Sequence, residues 1–105
     1  MILNIVMIKE DIEPTSMGNI HWCPVARALR RELTKQKIDY TLVEVNCVDD
    51  ITYEVVGEEY NPSYNIALIG DDADKVDTFI GEFDAGNEVQ PISFNADVQL
   101  AASSI

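Results

Sequence analysis

The stretch Cys23-Pro24-Val25-Ala26-Arg27-Ala28-Leu29-Arg30-Arg31-Glu32-Leu33 decides most of what this chain can become. Pro24 suits the first position of a helix, where its missing N–H leaves nothing unsatisfied, and Cys23 falls at the cap. Val25, Ala28, Leu29 and Leu33 recur at the spacing of one helical face, with Arg27, Arg30 and Arg31 mostly outside it. The pattern predicts an amphipathic helix over residues 24–36 whose apolar stripe needs an apolar layer to lie on. The rest of the chain supplies that layer as short runs of β-branched and aromatic residues.

The first such run, residues 2–8, is nearly all apolar and reads as a strand covered on both faces at the centre of a sheet. Residues 9–22 hold Pro14, Ser16, Gly18 and Asn19 without a period and read as a loop, with one helical turn around Glu10 to Ile12. After the helix come strands at residues 38–47 and 51–56, joined at Val48-Asp49-Asp50 as an antiparallel hairpin, then a turn region at 57–63 and a fourth strand at 64–69. Gly70 ends that strand and Asp71 or Asp72 caps a second helix, in which Val76, Phe79, Ile80 and Phe83 form a clean stripe up to a stop at Gly86. Ile92, Phe94, Ala96, Val98 and Leu100 alternate with polar residues as a fifth, half-exposed strand. Residues 101–105 are expected to fray. The expectation is one α+β domain over residues 1–105, of order β-α-β-β-β-α-β, with two helices on one mainly antiparallel sheet.

Charge narrows the function classes. Of the seven bases, Arg27, Arg30, Arg31, Lys35 and Lys37 lie within residues 27–37 against Glu32 alone, a local +4; the remainder carries Lys9 and Lys75 against 18 acids, −16, for a net charge of −12. The molecule is one basic helix on an acidic body, a poor distribution for neutralising phosphates, so no direct nucleic-acid binding is expected. Either the bases form a solvated face that offsets nearby carboxylates, or Arg27, Arg30, Arg31 and Lys35 form a docking surface for an anionic partner. Residues 1–8 lack the leading basic residues and the cleavage site of a signal peptide, and no run is long enough to span a bilayer; a cytoplasmic protein without a membrane partner is expected.

Cys23 is the strongest candidate for chemistry. A thiol at a helix N-terminus can be activated by the free backbone N–H groups there, with His21 two residues away to assist; more often such a cysteine is a small buried cap, here beside Trp22. Two cysteines do not make a disulfide scaffold, and Cys23 and Cys47 are expected to be reduced. His21, Cys23 and Cys47 match no zinc spacing, and the run from Asp71 lacks the glycine of a calcium loop, with Val76 in its place, although Glu82 fits the closing position. No metal and no cofactor are expected.

Strand, Cys-Pro, helix and strand in that order resemble the start of a glutaredoxin-like fold, which implies a thiol-dependent redox enzyme acting through Cys23. Three features depart from it. Ala26 stands where the motif has a second Cys or Ser, residues 51–56 are strand-like where a helix is required, and Pro62 lies short of the following apolar run. A wider resemblance rests on Cys23-Pro24-Val25-Ala26-Arg27-Ala28-Leu29, Phe79-Ile80-Gly81-Glu82-Phe83-Asp84-Ala85-Gly86 and Val89-Gln90-Pro91-Ile92-Ser93-Phe94. In that order they are similar to a group of small bacteriophage and actinobacterial proteins with a "Cys-Pro-x-Ala-x-Ala-Leu" helix, a "Phe-Ile-x-x-Phe-Asp-x-Gly" helix and a closing "Val-x-Pro-x-x-Phe" strand. The resemblance implies a small α+β fold and a phage-type origin, with the host cytoplasm as its place of action, and it brings no reaction with it. The expectation is an accessory protein that binds a protein partner or self-associates as a homodimer, with mimicry of nucleic acid by the acidic body as one form of that activity and the Cys23 redox enzyme as the alternative.

Overall fold

The computed structural model describes residues 1–12, 23–55 and 62–99. In chain order these form strand β1 (Ile2–Val6), helices α1 (Lys9–Ile12) and α2 (Pro24–Lys35), strands β2 (Leu42–Cys47), β3 (Asp50–Glu54) and β4 (Ser63–Leu68), helix α3 (Asp72–Asp84) and strand β5 (Ser93–Val98). The five strands make one sheet in the order β1-β5-β4-β3-β2, and every pairing is antiparallel. This is the expected α+β arrangement, with the single turn at α1 as a third helix. The turn region at 57–63, the tail at 101–105 and His21 lie largely or wholly outside the described residues.

One face of the sheet is dry. Leu3 and Ile5 of β1, Val43 and Val45 of β2, Ile51 and Tyr53 of β3, Ile66 of β4 and Phe94, Ala96 and Val98 of β5 are all buried. They meet Val25, Leu29 and Leu33 of α2 and Val76, Phe79 and Phe83 of α3, the two stripes legible in the sequence. Burying each of these large side chains contributes about 1.5–3 kcal/mol. Tyr53 stacks on its β4 neighbour Tyr64 at 5.6 Å and donates its hydroxyl to Gln99 O, so the largest buried polar side chain is satisfied.

The first strand departs from expectation. It lies at the end of the sheet beside β5 alone, and Ile2 and Val6 are 67% and 49% exposed. The connection through α2 carries the chain from one end of the sheet to the other, and α2 packs against both end strands, β1 and β2. β5, arriving last, pairs with β1 on one side and β4 on the other. The expected strand at 38–47 starts only at Leu42, because Ile38 closes the end of α2 and Tyr40 is drawn under Arg30.

Beyond Ile69, β4 no longer runs beside β5, and α3 takes its place. Asp72 Oδ2 accepts the Asn95 N–H at 2.7 Å and Lys75 Nζ donates to Ser93 O at 2.8 Å. Asp71 takes the cap position of α3, as expected, but makes no side-chain bond to the helix, and the Asp72 carboxylate serves the sheet.

Both long helices end in the same motif with different residues. In α3, Gly86 takes φ +81°, its N–H bonds Phe83 O and the Asn87 N–H bonds Glu82 O. In α2, Lys37 takes φ +59°, its N–H bonds Thr34 O and the Ile38 N–H bonds Leu33 O. A Cβ in this left-handed conformation costs about 1–2 kcal/mol, which glycine avoids. Lys37→Gly is expected to raise the unfolding free energy by about 1 kcal/mol and Gly86→Ala to lower it by about as much. Urea denaturation of the two variants checks this, and the opposite sign at either site contradicts it.

Candidate functional site

Cys23 stands at the N-cap of α2, half-buried, with no side-chain capping bond. Burial raises its pKa most; the backbone N–H groups of Ala26 and Val25 lower it, and the negative charge of Asp84 raises it again. The net direction is up. The helix N-terminus that would activate a thiolate is outweighed by loss of water and by a carboxylate from α3. The expected helper, His21, lies outside the described residues. Cys23 and Cys47 are both free thiols, Cys47 exposed on β2. Among the described residues no group of three or more His, Cys, Asp or Glu side chains is arranged to hold a metal ion.

The basic helix divides into separate roles. Arg31 reaches back to the end of β1 and the start of α1: Nη1 and Nη2 donate to Asp11 Oδ1 and Oδ2, both at 2.6 Å, and Nη2 also donates to Val6 O at 2.7 Å. Asp11 is 5% exposed and accepts the Ile8 N–H at 2.9 Å. These hydrogen bonds raise the Arg31 pKa above its ordinary value and fix the guanidinium as a clamp joining β1, α1 and α2. Asp11 is buried while the Arg31 side chain is 40% exposed, so the pair is only partly desolvated; its bonds to β1 and α1 make Arg31 a structural residue first. Arg30 lies over the Tyr40 ring at 5.6 Å, and Tyr40 donates to Arg30 O. Arg27 is half-buried. Lys35 differs: it is exposed, and among the described residues no ion pair holds it.

Arg31 and Lys35 line one side of a groove of about 610 Å³ whose other side is β1. Glu32 and Gln36, bonded to each other at 3.0 Å, complete the helix side, and Ile2, Val6 and Ile8 line the strand side. The register explains why this edge is open. Met7 donates to Ile92 O and Met1 accepts from the Val98 N–H, so odd-numbered residues of β1 bond β5 and the N–H and C=O groups of even-numbered ones point outward. Of these, Val6 O is taken by Arg31 and the Ile8 N–H by Asp11. The outward groups of Ile2 and Asn4 and the Val6 N–H have no partner among the described residues, and they are flanked by the exposed apolar side chains of Ile2 and Val6.

The opposite end of the sheet is built differently. β2 carries a register irregularity between Val45 and Cys47, and its solvent side offers Glu44 and Asn46. Bulges and charges are the usual protection of an edge. β1 has neither among its outward residues. Sequence reasoning found Arg31 and Lys35 by their charge but missed Ile2 and Val6, because a continuous apolar run does not distinguish a central strand from an edge strand with apolar residues on its wet side.

A scan against protein-family models and searches of curated proteins and of solved structures found no match to this chain. Among the described residues no helix is long and apolar enough to cross a membrane.

With its pKa raised, Cys23 holds less thiolate near neutrality than an ordinary cysteine, and the exposed Cys47 serves as an internal reference. Alkylation by iodoacetamide, followed by peptide mass spectrometry across alkaline pH, is expected to modify Cys47 first, with the Cys23 rate rising at higher pH. Faster modification of Cys23 at neutral pH contradicts this and restores the case for a reactive thiol.

Proposed function

We propose that this protein is a non-enzymatic accessory protein that works by binding another protein through the face formed by β1 and α2. The observation that carries the reading is the row Ile2, Val6 and Ile8, 67%, 49% and 40% exposed, beside an edge whose Ile2 and Asn4 backbone groups have no partner among the described residues. A free edge with apolar flanks is a liability that folded proteins normally blunt, and its persistence next to a protected edge at β2 is what a binding surface requires. The ordered motifs around Cys23, Phe79 and Val89 favour a phage-type protein acting in the host cytoplasm.

The rival reading, a redox enzyme using Cys23, has less support. Burial and Asp84 both work against the thiolate, and Ala26 offers neither a resolving thiol nor a hydroxyl.

A photocrosslinking amino acid at Val6, on protein exposed to lysate of the cell that makes it, is expected to yield discrete adducts with another polypeptide. The same group at Asp77, on the exposed side of α3, serves as the control and is expected to yield none. Equal labelling from both positions, or none from Val6, overturns the proposal.

A further inference from the structure

The β1 edge also constrains what its occupant looks like. Ile2, Asn4 and Val6 direct their N–H groups outward at every second residue, which is the repeat of a strand and of no other element. Side chains of an added strand opposite Ile2 and Val6 would lie on the wet face of the sheet, against exposed apolar surface. Those between them would lie on the Leu3 and Ile5 side, toward α2 and Lys35, whose ammonium has no ion pair among the described residues. Of the charged side chains that line the groove, Arg31 is paired with Asp11, Glu32 accepts from Gln36, and Lys35 has no ion pair among the described residues; α2 and its C-terminal turn, residues 27–37, together carry +4, with Arg27, Arg30 and Lys37 outside the lining. A second copy of the chain pairing β1 with β1 would bring an identical basic helix to this place, like charge against like charge. An acidic strand meets the opposite sign.

We propose that the groove between β1 and α2 takes an extended acidic segment of a partner protein as a sixth strand, its residues alternating between apolar and carboxylate side chains. This rests on the reading of β1 and α2 as a binding face and goes further in naming the occupant. Backbone bonds to Ile2 and Asn4 supply attachment, and a carboxylate at Lys35 supplies selectivity. Val6 O keeps its bond to Arg31, and its second lone pair and the Val6 N–H remain for the added strand.

The test uses the full chain, isotope-labelled, and three short synthetic peptides: one alternating Val and Glu, one alternating Val and Lys, and one of the first composition with its Val and Glu residues in separate blocks. The alternating Glu peptide is expected to slow amide hydrogen exchange at Ile2, Asn4 and Val6 and to bind about tenfold more tightly than the Lys peptide. Lys35→Glu is expected to remove or invert that preference. Asn4→Pro deletes one outward N–H, a change tolerated at a sheet edge, and is expected to abolish binding, whereas Asn4→Ala keeps it. Equal binding of the Glu and Lys peptides, equal binding of the block-ordered peptide, or unchanged exchange at the three amides overturns the proposal. So does protection of those amides by raising protein concentration alone, which assigns the edge to a second copy. If the peptides fail while the crosslinker at Val6 still captures a protein, strand addition falls and the binding face stands.

Discussion

An open antiparallel sheet has two ends, and at each end a row of backbone donors and acceptors must find water, a side chain or another chain. In this molecule everything about the candidate surface depends on how those ends are treated. β2 is blunted by an irregular register and polar side chains. β1 is left regular, with Arg31 capping only Val6 O and Asp11 only the Ile8 N–H. The clamp of Arg31 on Asp11 therefore does two things: it ties α2 to α1 and the end of β1, and it marks where the usable part of the edge stops.

The same logic operates inside the sheet. Where β4 ends, the N-terminal turn of α3 supplies a carboxylate and an ammonium to β5, so an interior strand that loses its neighbour is served by side chains. On β1 the outward groups of Ile2 and Asn4 and the Val6 N–H have no partner among the described residues. The basic residues of α2 show a comparable division. Arg31 is bound to Asp11, Arg30 covers Tyr40, and Lys35 alone stands in the groove without an ion pair among the described residues.

Periodicity carried most of the fold. The stripes Val25-Leu29-Leu33 and Val76-Phe79-Phe83 fell on the buried faces of α2 and α3, and the alternation of Phe94, Ala96 and Val98 set the dry face of β5. These features were legible because burial acts on local spacing. The order of strands was not, since it depends on which ends α2 bridges and on where β5 inserts, both contacts between residues far apart in sequence. That is why residues 2–8 read as central and proved peripheral. The cap position of α3 was legible at Asp71, but the role of Asp72 was not, because its carboxylate meets the Asn95 N–H, a distant partner that no local pattern reveals. Of the candidate site, charge showed Arg31 and Lys35, whereas the open edge emerged only with the register.

The central claim is that, among the described residues, the N–H groups of β1 are bonded on the β5 side only, and native-state amide hydrogen exchange of the isolated protein addresses it most directly. Leu3, Ile5 and Met7, whose N–H groups face β5, are expected to exchange slowly, and Ile2, Asn4 and Val6, whose N–H groups face outward, to exchange fast, in strict alternation along the strand. Uniform protection of all six amides would contradict it, for it would mean that the outer edge of β1 is already occupied.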